Sequence, residues 1–223
     1  MAAWSSTKAA VQFATIAATL SVCNTSAGAE TVLAGLTGNL GCGKTTALNV
    51  FKALGAVTVS ADEIVHRLLA EPAVKLRAGE LLGDIFDADG KINKPMVAAL
   101  VFNNPALRRA LEGVILPLVK EEIIHIGSAN KERLVIAEIP LLFEDSYTGV
   151  VDKIITIISD RVLLPERLKK RGFSEEDIES RLSAQIPDEK KLPLSDFVIN
   201  NSGSLEALGT QTAAIYTKLT ALI

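Results

Sequence analysis

The stretch Gly38-Asn39-Leu40-Gly41-Cys42-Gly43-Lys44-Thr45 decides the fold. It fits G-x-x-x-x-G-K-[ST], the pattern of a loop that cradles phosphate. Ahead of it, residues 31–37 (Thr-Val-Leu-Ala-Gly-Leu-Thr) are a short apolar run of strand type. Behind it, apolar residues at 47, 48, 50, 51 and 54 follow helical spacing, and Gly55 stands as a C-terminal stop. Strand, glycine-rich turn and helix, in that order, is the context the motif requires. Glycine lets the backbone turn tightly and approach an anion with no Cβ in the way. The freed N–H groups and the helix N-terminus then bind phosphate oxygens. Lys44 can reach the β- and γ-phosphates of ATP, and the Thr45 hydroxyl can ligate Mg²⁺. The nucleotide-binding candidates are therefore Gly38, Asn39, Leu40, Gly41, Cys42, Gly43, Lys44, Thr45 and the adjoining Thr46, with Lys44 also a catalytic candidate.

The 223 residues leave room for one α/β domain with a sizeable core, or for one domain with a small insert. A net charge of −3 gives no broad basic field, so nucleic acid is not an expected partner. Cys23 and Cys42 make no disulfide framework, and Cys42 reads as a small filler side chain within the loop.

Residues 1–29 hold one Lys, no acid and no Arg, and are rich in Ala, Ser and Thr. A mildly apolar centre at 11–22 and the small-residue run Ala27-Gly28-Ala29 have the pattern of a secretory signal. The segment is too polar and too short for a membrane span, and a transit peptide would carry several Arg. A flexible N-terminal extension, or residues upstream of the real start, is the preferred reading, because an enzyme that consumes ATP finds little of it outside the cell. The expectation is a cytoplasmic protein with no stable membrane association, a monomer or small homo-oligomer, its nucleotide domain spanning 30–223.

Further strands are predicted at 56–60, 133–139, 151–158 and 197–199. The runs at 133–139 and 151–158 are continuously apolar, the mark of strands buried on both faces of a parallel sheet. Helices are predicted at 73–82, 94–102, 104–126, 160–170, 174–185 and 205–222, with a helix also starting just after Asp62. Pro117 is expected to kink the long helix or divide it. Residues 127–131 read as a polar turn, and Asp87-Ala88-Asp89-Gly90 as another. Ser174-x-x-Asp177 has the form of a capping box, and Ser204 is a cap candidate. Strands alternating with helices predict an α/β fold: a three-layer, doubly wound, parallel five-stranded sheet. The mostly helical stretch 62–130 is far longer than a plain crossover needs. It is expected to form a cap that brings a second substrate over the sheet, with 161–190 as a lid.

In open α/β sheets, ligands bind beyond the carboxyl ends of the strands. Asp62 follows the second strand. Its carboxylate can accept a proton from an attacking hydroxyl or help hold Mg²⁺, and Asp also suits a helix N-cap. Glu138 ends the third strand and could bind Mg²⁺ through water, or stand as an exposed strand-end acid. Arg161, Arg167, Lys169, Lys170 and Arg171 form a basic group after the fourth strand, most of it a solvated helix face. Arg167 and Arg171, four apart, share a face. Arg167 is the nucleotide-contacting candidate and Arg171 the one that neutralises charge developing on the transferred phosphoryl group. Arg181 follows on the next helix. His66 and His125 lack metal-ligand spacing and default to surface roles. A guanine-reading N-K-x-D is missing, which argues against a GTPase.

Taken together, these residues resemble the dephospho-CoA kinase family over about residues 31–222. The matching stretches are Gly35 through Thr46, Leu54-Gly55, Ala61-Asp62-Glu63, Asp89-Gly90, Val101-Phe102-x-x-Pro105 and Leu111-Glu112. Ile139-Pro140-Leu141-Leu142-Phe143-Glu144 is the most distinctive, followed by Arg167-Leu168-x-x-Arg171, Arg181, Ala184-Gln185 and Asn201-x-Gly203-Ser204. The resemblance implies transfer of the γ-phosphate of ATP to the 3′-hydroxyl of dephospho-CoA with Mg²⁺, the last step of coenzyme A synthesis. It implies a sheet of P-loop kinase type, with Asp62 as the base, 62–130 as the CoA-binding cap and the region from Arg167 to Gln185 as the lid. Two positions depart from the family pattern. Ser60 stands where an Asp is usual, and Leu116 where a His is usual in His-Pro-Leu. A kinase with another small-metabolite or nucleotide acceptor, and a degenerate ATP-binding module, are the competing readings.

Overall fold

Strand β1 (Val32–Gly38) is buried along its whole length and is hydrogen-bonded to a parallel neighbour on each side. In the computed structural model, which describes residues 31–160, 162–169, 172–183 and 185–223, it is the centre of a five-stranded parallel sheet of order β2-β3-β1-β4-β5. The others are β2 (Val57–Ser60), β3 (Leu134–Glu138), β4 (Lys153–Ile158) and β5 (Phe197–Asn200). The expected extension at 1–29 lies outside the described residues, as do Arg161, Lys170, Arg171 and Ala184. Residues 31–223 make one compact unit.

Period-two alternation divides the strand residues between two helical layers. On one face, Val32, Ala34, Leu36, Ile136, Ile155, Ile157 and Ile199 pack on Leu48 and Phe51 of α1 (Lys44–Ala53). Leu208, Ile215 and Leu219 of α9 (Leu205–Thr220) complete that cluster. On the other face, Leu33, Val135, Ala137 and Ile154 pack on Ile64 of α2 (Ala61–Leu68) and on Ile115, Val119 and Ile123 of α5 (Pro105–Ala129). This is the predicted doubly wound sheet. The chain runs from β1 out to β2 and β3 on one side, then crosses to β4 and β5 on the other. The C-terminal end of β1 is therefore the topological switch point, where such sheets bind ligands.

The stretch 62–130, read as a cap, divides between two jobs. Helices α2 and α5 are the sheet's own covering layer. Helices α3 (Pro72–Leu82) and α4 (Lys94–Asn103) pack on α5 instead. The turn between them closes with an antiparallel Phe86–Ile92 bridge, and Asp87 Oδ1 accepts the Asp89 and Lys91 N–H groups at 3.0 and 2.8 Å.

Of the two outcomes expected at Pro117, division of the long helix is corrected, and so is the turn predicted at its end. Pro117 does not divide α5, which is continuous through it. The proline is exposed, and the residue four back is Gly113, with open space around it, so ring and freed carbonyl meet solvent. The predicted polar turn at 127–131 is helical to Ala129. Gly127 is buried against β1, where a Cβ would lie 3.4 Å from Leu33 Cδ2. Ser128 Oγ and Asn130 Nδ2 donate to the carbonyls of His125 and Ile126 at 3.0 and 2.8 Å, satisfying the last turn.

Beyond β4 come α6 (Leu163–Lys169), α7 (Glu175–Ser183) and a short α8 (Asp188–Lys191) that periodicity does not reveal. Ser204 caps α9 as expected, accepting from Ala207 N at 3.2 Å. Asn104 caps α5, accepting from Ala106 and Leu107 N.

Burial and capping hold α5 with unequal strength. Ile123→Ala, at a fully buried position, should cost about 2–5 kcal/mol of stability. Asn104→Ala should cost about 1 kcal/mol. Urea unfolding followed by circular dichroism measures both, and equal losses would mean that the cap matters as much as the core.

Candidate active site

The phosphate-loop sequence joins β1 to α1 with backbone that only glycine accepts easily. Gly38 has φ 146°, and a Cβ there would lie 2.2 Å from the Ile157 carbonyl oxygen of β4. Gly43 has φ 100°, and a Cβ would lie 2.2 Å from Asn201 Nδ2 beyond β5. The loop folds on itself: Cys42 N donates to Asn39 O at 3.2 Å, and Lys44 Nζ donates to the Gly38 and Asn39 carbonyls at 2.8 and 3.1 Å. Helix α1 starts behind Gly43 with no side-chain cap and no acid in its first turn. Its N-terminal dipole and N–H groups thus have the character of an anion site. Cys42 is buried, and burial pushes its thiol up against the opposing pull of Lys44, which suits the filler reading.

The acids gather on one side of the loop. Glu138, at the end of β3, is buried and accepts a hydrogen bond from Thr45 Oγ1 at 3.3 Å. It is not the exposed strand-end acid of the alternative reading. Burial pushes its carboxyl above the ordinary glutamate range. Lys44 and the Thr45 hydrogen bond pull it back, and the charges of Asp62 and Glu63 push it further up. Asp62 is exposed in the first turn of α2. Ser60 occupies the N-cap position, so capping is not the job of Asp62. Ser60 also pairs in register with Glu138. Lys44, Thr45, Asp62 and Glu138, picked separately from sequence, thus meet at one corner, and Glu63 joins them.

On the other side stand the elements after β4. Arg167 is half-buried and donates to Ser159 Oγ and to the Asn201 carbonyl, each at 3.0 Å. Asn201 Nδ2 donates in turn to the Cys42 carbonyl at 2.8 Å. Arg167 therefore braces the strand end that braces the loop. Lys169 pairs with Glu175 of α7. Arg171, the charge-neutralising candidate, lies outside the described residues, as do Arg161 and Lys170, and so does the side chain of Arg181. His66 faces Lys94 Nζ at 3.0 Å and His125 is exposed on α5. Among the described residues no group of three or more His, Cys, Asp or Glu forms a metal cage.

Two cavities flank the corner. One of about 600 Å³ opens beside Asn39, between α6 and α7, lined by Leu164, Lys169, Ile178, Leu182 and Gln185. One of about 520 Å³ lies along β2 and α2, lined by Ser60, Glu63, His66, Arg67 and Ile126. Both are of ligand size.

Sequence reasoning assigned no role to Glu63, Glu144, Gln185, Asp188, Lys191 or Asn201. Glu63, Glu144, Gln185 and Asn201 lay inside motif stretches, which marked them without saying why. Lys190-Lys191 looks like a solvated pair, and no local pattern shows that the second lysine is fully buried.

The profile of the family described as dephospho-CoA kinase matches residues 32–207. Among curated proteins, the dephospho-CoA kinase of Aquifex aeolicus is 35% identical over 189 residues, covering 83% of this chain and 96% of that protein. A solved structure from Thermus thermophilus has a TM-score of 0.76 at 29% identity, over 85% of this chain and 98% of that one. The dephospho-CoA kinase from Campylobacter jejuni has a TM-score of 0.65 at 27% identity, over 85% and 97%.

The raised Glu138 carboxyl has a signed consequence. The folded chain keeps a proton that the unfolded chain has already released. Stability therefore falls as pH rises from the ordinary glutamate range through the raised folded value, and stays lowered above it. In chelator-containing buffer, Glu138→Gln should melt above the wild type at neutral pH, with the gap narrowing toward acid. A wild type that melts higher at neutral pH would show that Thr45 and Lys44 more than offset the burial.

Proposed function

The chain belongs to the dephospho-CoA kinase family, and from that premise we propose how its residues divide the work. Enzymes of this family transfer the γ-phosphate of ATP to the 3′-hydroxyl of dephospho-CoA, giving coenzyme A and ADP. The acceptor oxygen bonds to the γ-phosphorus, and the bond from that phosphorus to the β–γ bridging oxygen breaks. The bridging oxygen keeps the electron pair and leaves with ADP. The hydroxyl proton goes to Asp62, the general base. One observation carries this assignment: Asp62 is an exposed carboxylate in the first turn of α2, with its charge felt at Glu138 beside Thr45 and Lys44.

Lys44 and the N-terminus of α1 hold the triphosphate and its developing charge. Arg171 is assigned to the same charge on the strength of its four-residue spacing from Arg167. Arg167 acts on the nucleotide side through Asn201 and the loop. Thr45 and Glu138 would hold Mg²⁺. Their oxygens lie 3.3 Å apart and are hard donors, and Mg²⁺ needs only one or two protein ligands beside phosphate. When bound, the metal neutralises charge on the phosphate oxygens. Ser60, in register with Glu138, brings a hydroxyl rather than a second carboxylate, which argues for weaker metal affinity.

The cavity along α2 suits the acceptor, with α3 and α4 of the 62–130 stretch as its cap, and the region 161–190 is assigned as the lid on the nucleotide side. No helix of the described residues is long and apolar enough to cross a membrane. A cytoplasmic site of action, where ATP is available, fits this chemistry. So does a monomer or small homo-oligomer without a nucleic-acid partner.

Purified protein given ATP, Mg²⁺ and dephospho-CoA should form coenzyme A in a coupled assay. Asp62→Asn should lower kcat by about 10²–10⁴-fold while ATP affinity, read by calorimetry, stays at the wild-type value. Full activity in that variant would remove Asp62 from the mechanism. Failure of the wild type to turn over dephospho-CoA while phosphorylating another acceptor would reassign the substrate.

A further inference from the structure

Three segments that are distant in sequence meet at one buried ammonium. Lys191 is 0% exposed. Its Nζ donates to Asn39 Oδ1 at 2.8 Å and lies 3.6 Å from Glu144 Oε1. The same Glu144 oxygen accepts the Ile186 N–H at 2.9 Å, while Oε2 is buried with no hydrogen bond among the described residues. Asn39 Nδ2 donates to Asp188 Oδ1, and Leu40 N donates to Gln185 Oε1, both at 2.8 Å.

Asn39 is the root of the phosphate loop. Its carbonyl accepts from Lys44 Nζ and from Cys42 N, while its side chain is held from both ends by Lys191 and Asp188. Fixing Asn39 therefore fixes the loop's first turn and the resting point of the Lys44 ammonium. Main-chain N–H groups bind phosphate well only when already convergent, since ordering them on binding costs affinity. A buried lysine makes a good clamp here. Its charge strengthens the bond to the amide oxygen. Glu144, short of hydrogen bonds, keeps the ammonium from facing an apolar interior alone.

We propose that Lys191, held by Glu144, is a positioning residue that sets the phosphate loop through Asn39 and thereby tunes affinity for ATP. It ties the loop to the segment after β3 and to the stem that follows α7. The proposal rests on the reading of residues 38–45 as the ATP site.

A simpler role for Lys191 would be to neutralise Glu144, and two variants separate the roles. Lys191→Met strands a buried carboxylate, so both roles predict a lower melting temperature. Lys191→Met combined with Glu144→Gln removes both charges and should recover most of that loss. If Lys191 positions the loop, the double variant still binds ATP about tenfold more weakly, the share of one charge-assisted hydrogen bond. Its KM for dephospho-CoA stays at the wild-type value. Calorimetry with ATP alone gives the affinity without depending on the acceptor. Wild-type ATP affinity in the double variant overturns the proposal. If neither Lys191 variant folds, Asn39→Ala decides: a comparable loss of ATP affinity is expected, and an unchanged affinity overturns the clamp. A wild type that binds no ATP overturns the loop reading together with this one, whereas ATP binding without coenzyme A formation overturns only the substrate.

Discussion

The close approach of β1 to β4 constrains everything else in this molecule. Parallel pairing brings the Ile157 carbonyl to where a side chain on residue 38 would sit. The chain can leave the sheet there only through glycine, with its φ in the left-handed half of the map. That exit bends the backbone into a loop whose end starts α1. With β3 on one flank and β4 on the other, the loop emerges where the sheet's winding reverses. Strand ends from both halves then reach it: Glu138 and the start of α2 from one side, Asn201 from the other.

Charge around this loop is arranged at some cost to stability. Glu138 is buried beside a cluster of other acids, and its raised carboxyl registers that strain. Lys44 and Thr45 relieve part of it. A fold selected for stability alone would have little reason to keep a buried acid there. The proposed role beside a cation and a polyphosphate would give such an acid a reason to stay. The opposite flank carries the matching arrangement, a buried Lys191 with Glu144 nearby and amide groups on Asn39 and Gln185. The loop is thus gripped on both sides by groups that are not part of its motif.

Much of the fold and about half of the site can be read from local pattern. The apolar runs at β3 and β4 have the composition of doubly buried strands, and both are buried. Helix α5 shows the limit. Its final turn, Gly127-Ser128-Ala129, has turn-like composition, yet packing of Gly127 on Leu33 keeps it helical. The cap shows another: α2 and α5 cover the sheet, and only α3 and α4 lie outside that layer. A contact with a strand 94 residues away (127 − 33) leaves no trace in local periodicity.

The phosphate loop, the alternation of strands and helices, and the separate candidacy of Lys44, Thr45, Asp62 and Glu138 are all legible in the chain alone. Each rests on short-range chemistry: glycines at fixed spacing, hydrophobic period, and acids at strand ends. Packing alone brings these four residues to one corner, buries Glu138 and sets Lys191 in the interior beneath Asn39. The reason is physical. Burial and charge pairing depend on which strands lie side by side, and the order β2-β3-β1-β4-β5 follows from packing of the whole chain rather than from any single stretch of it.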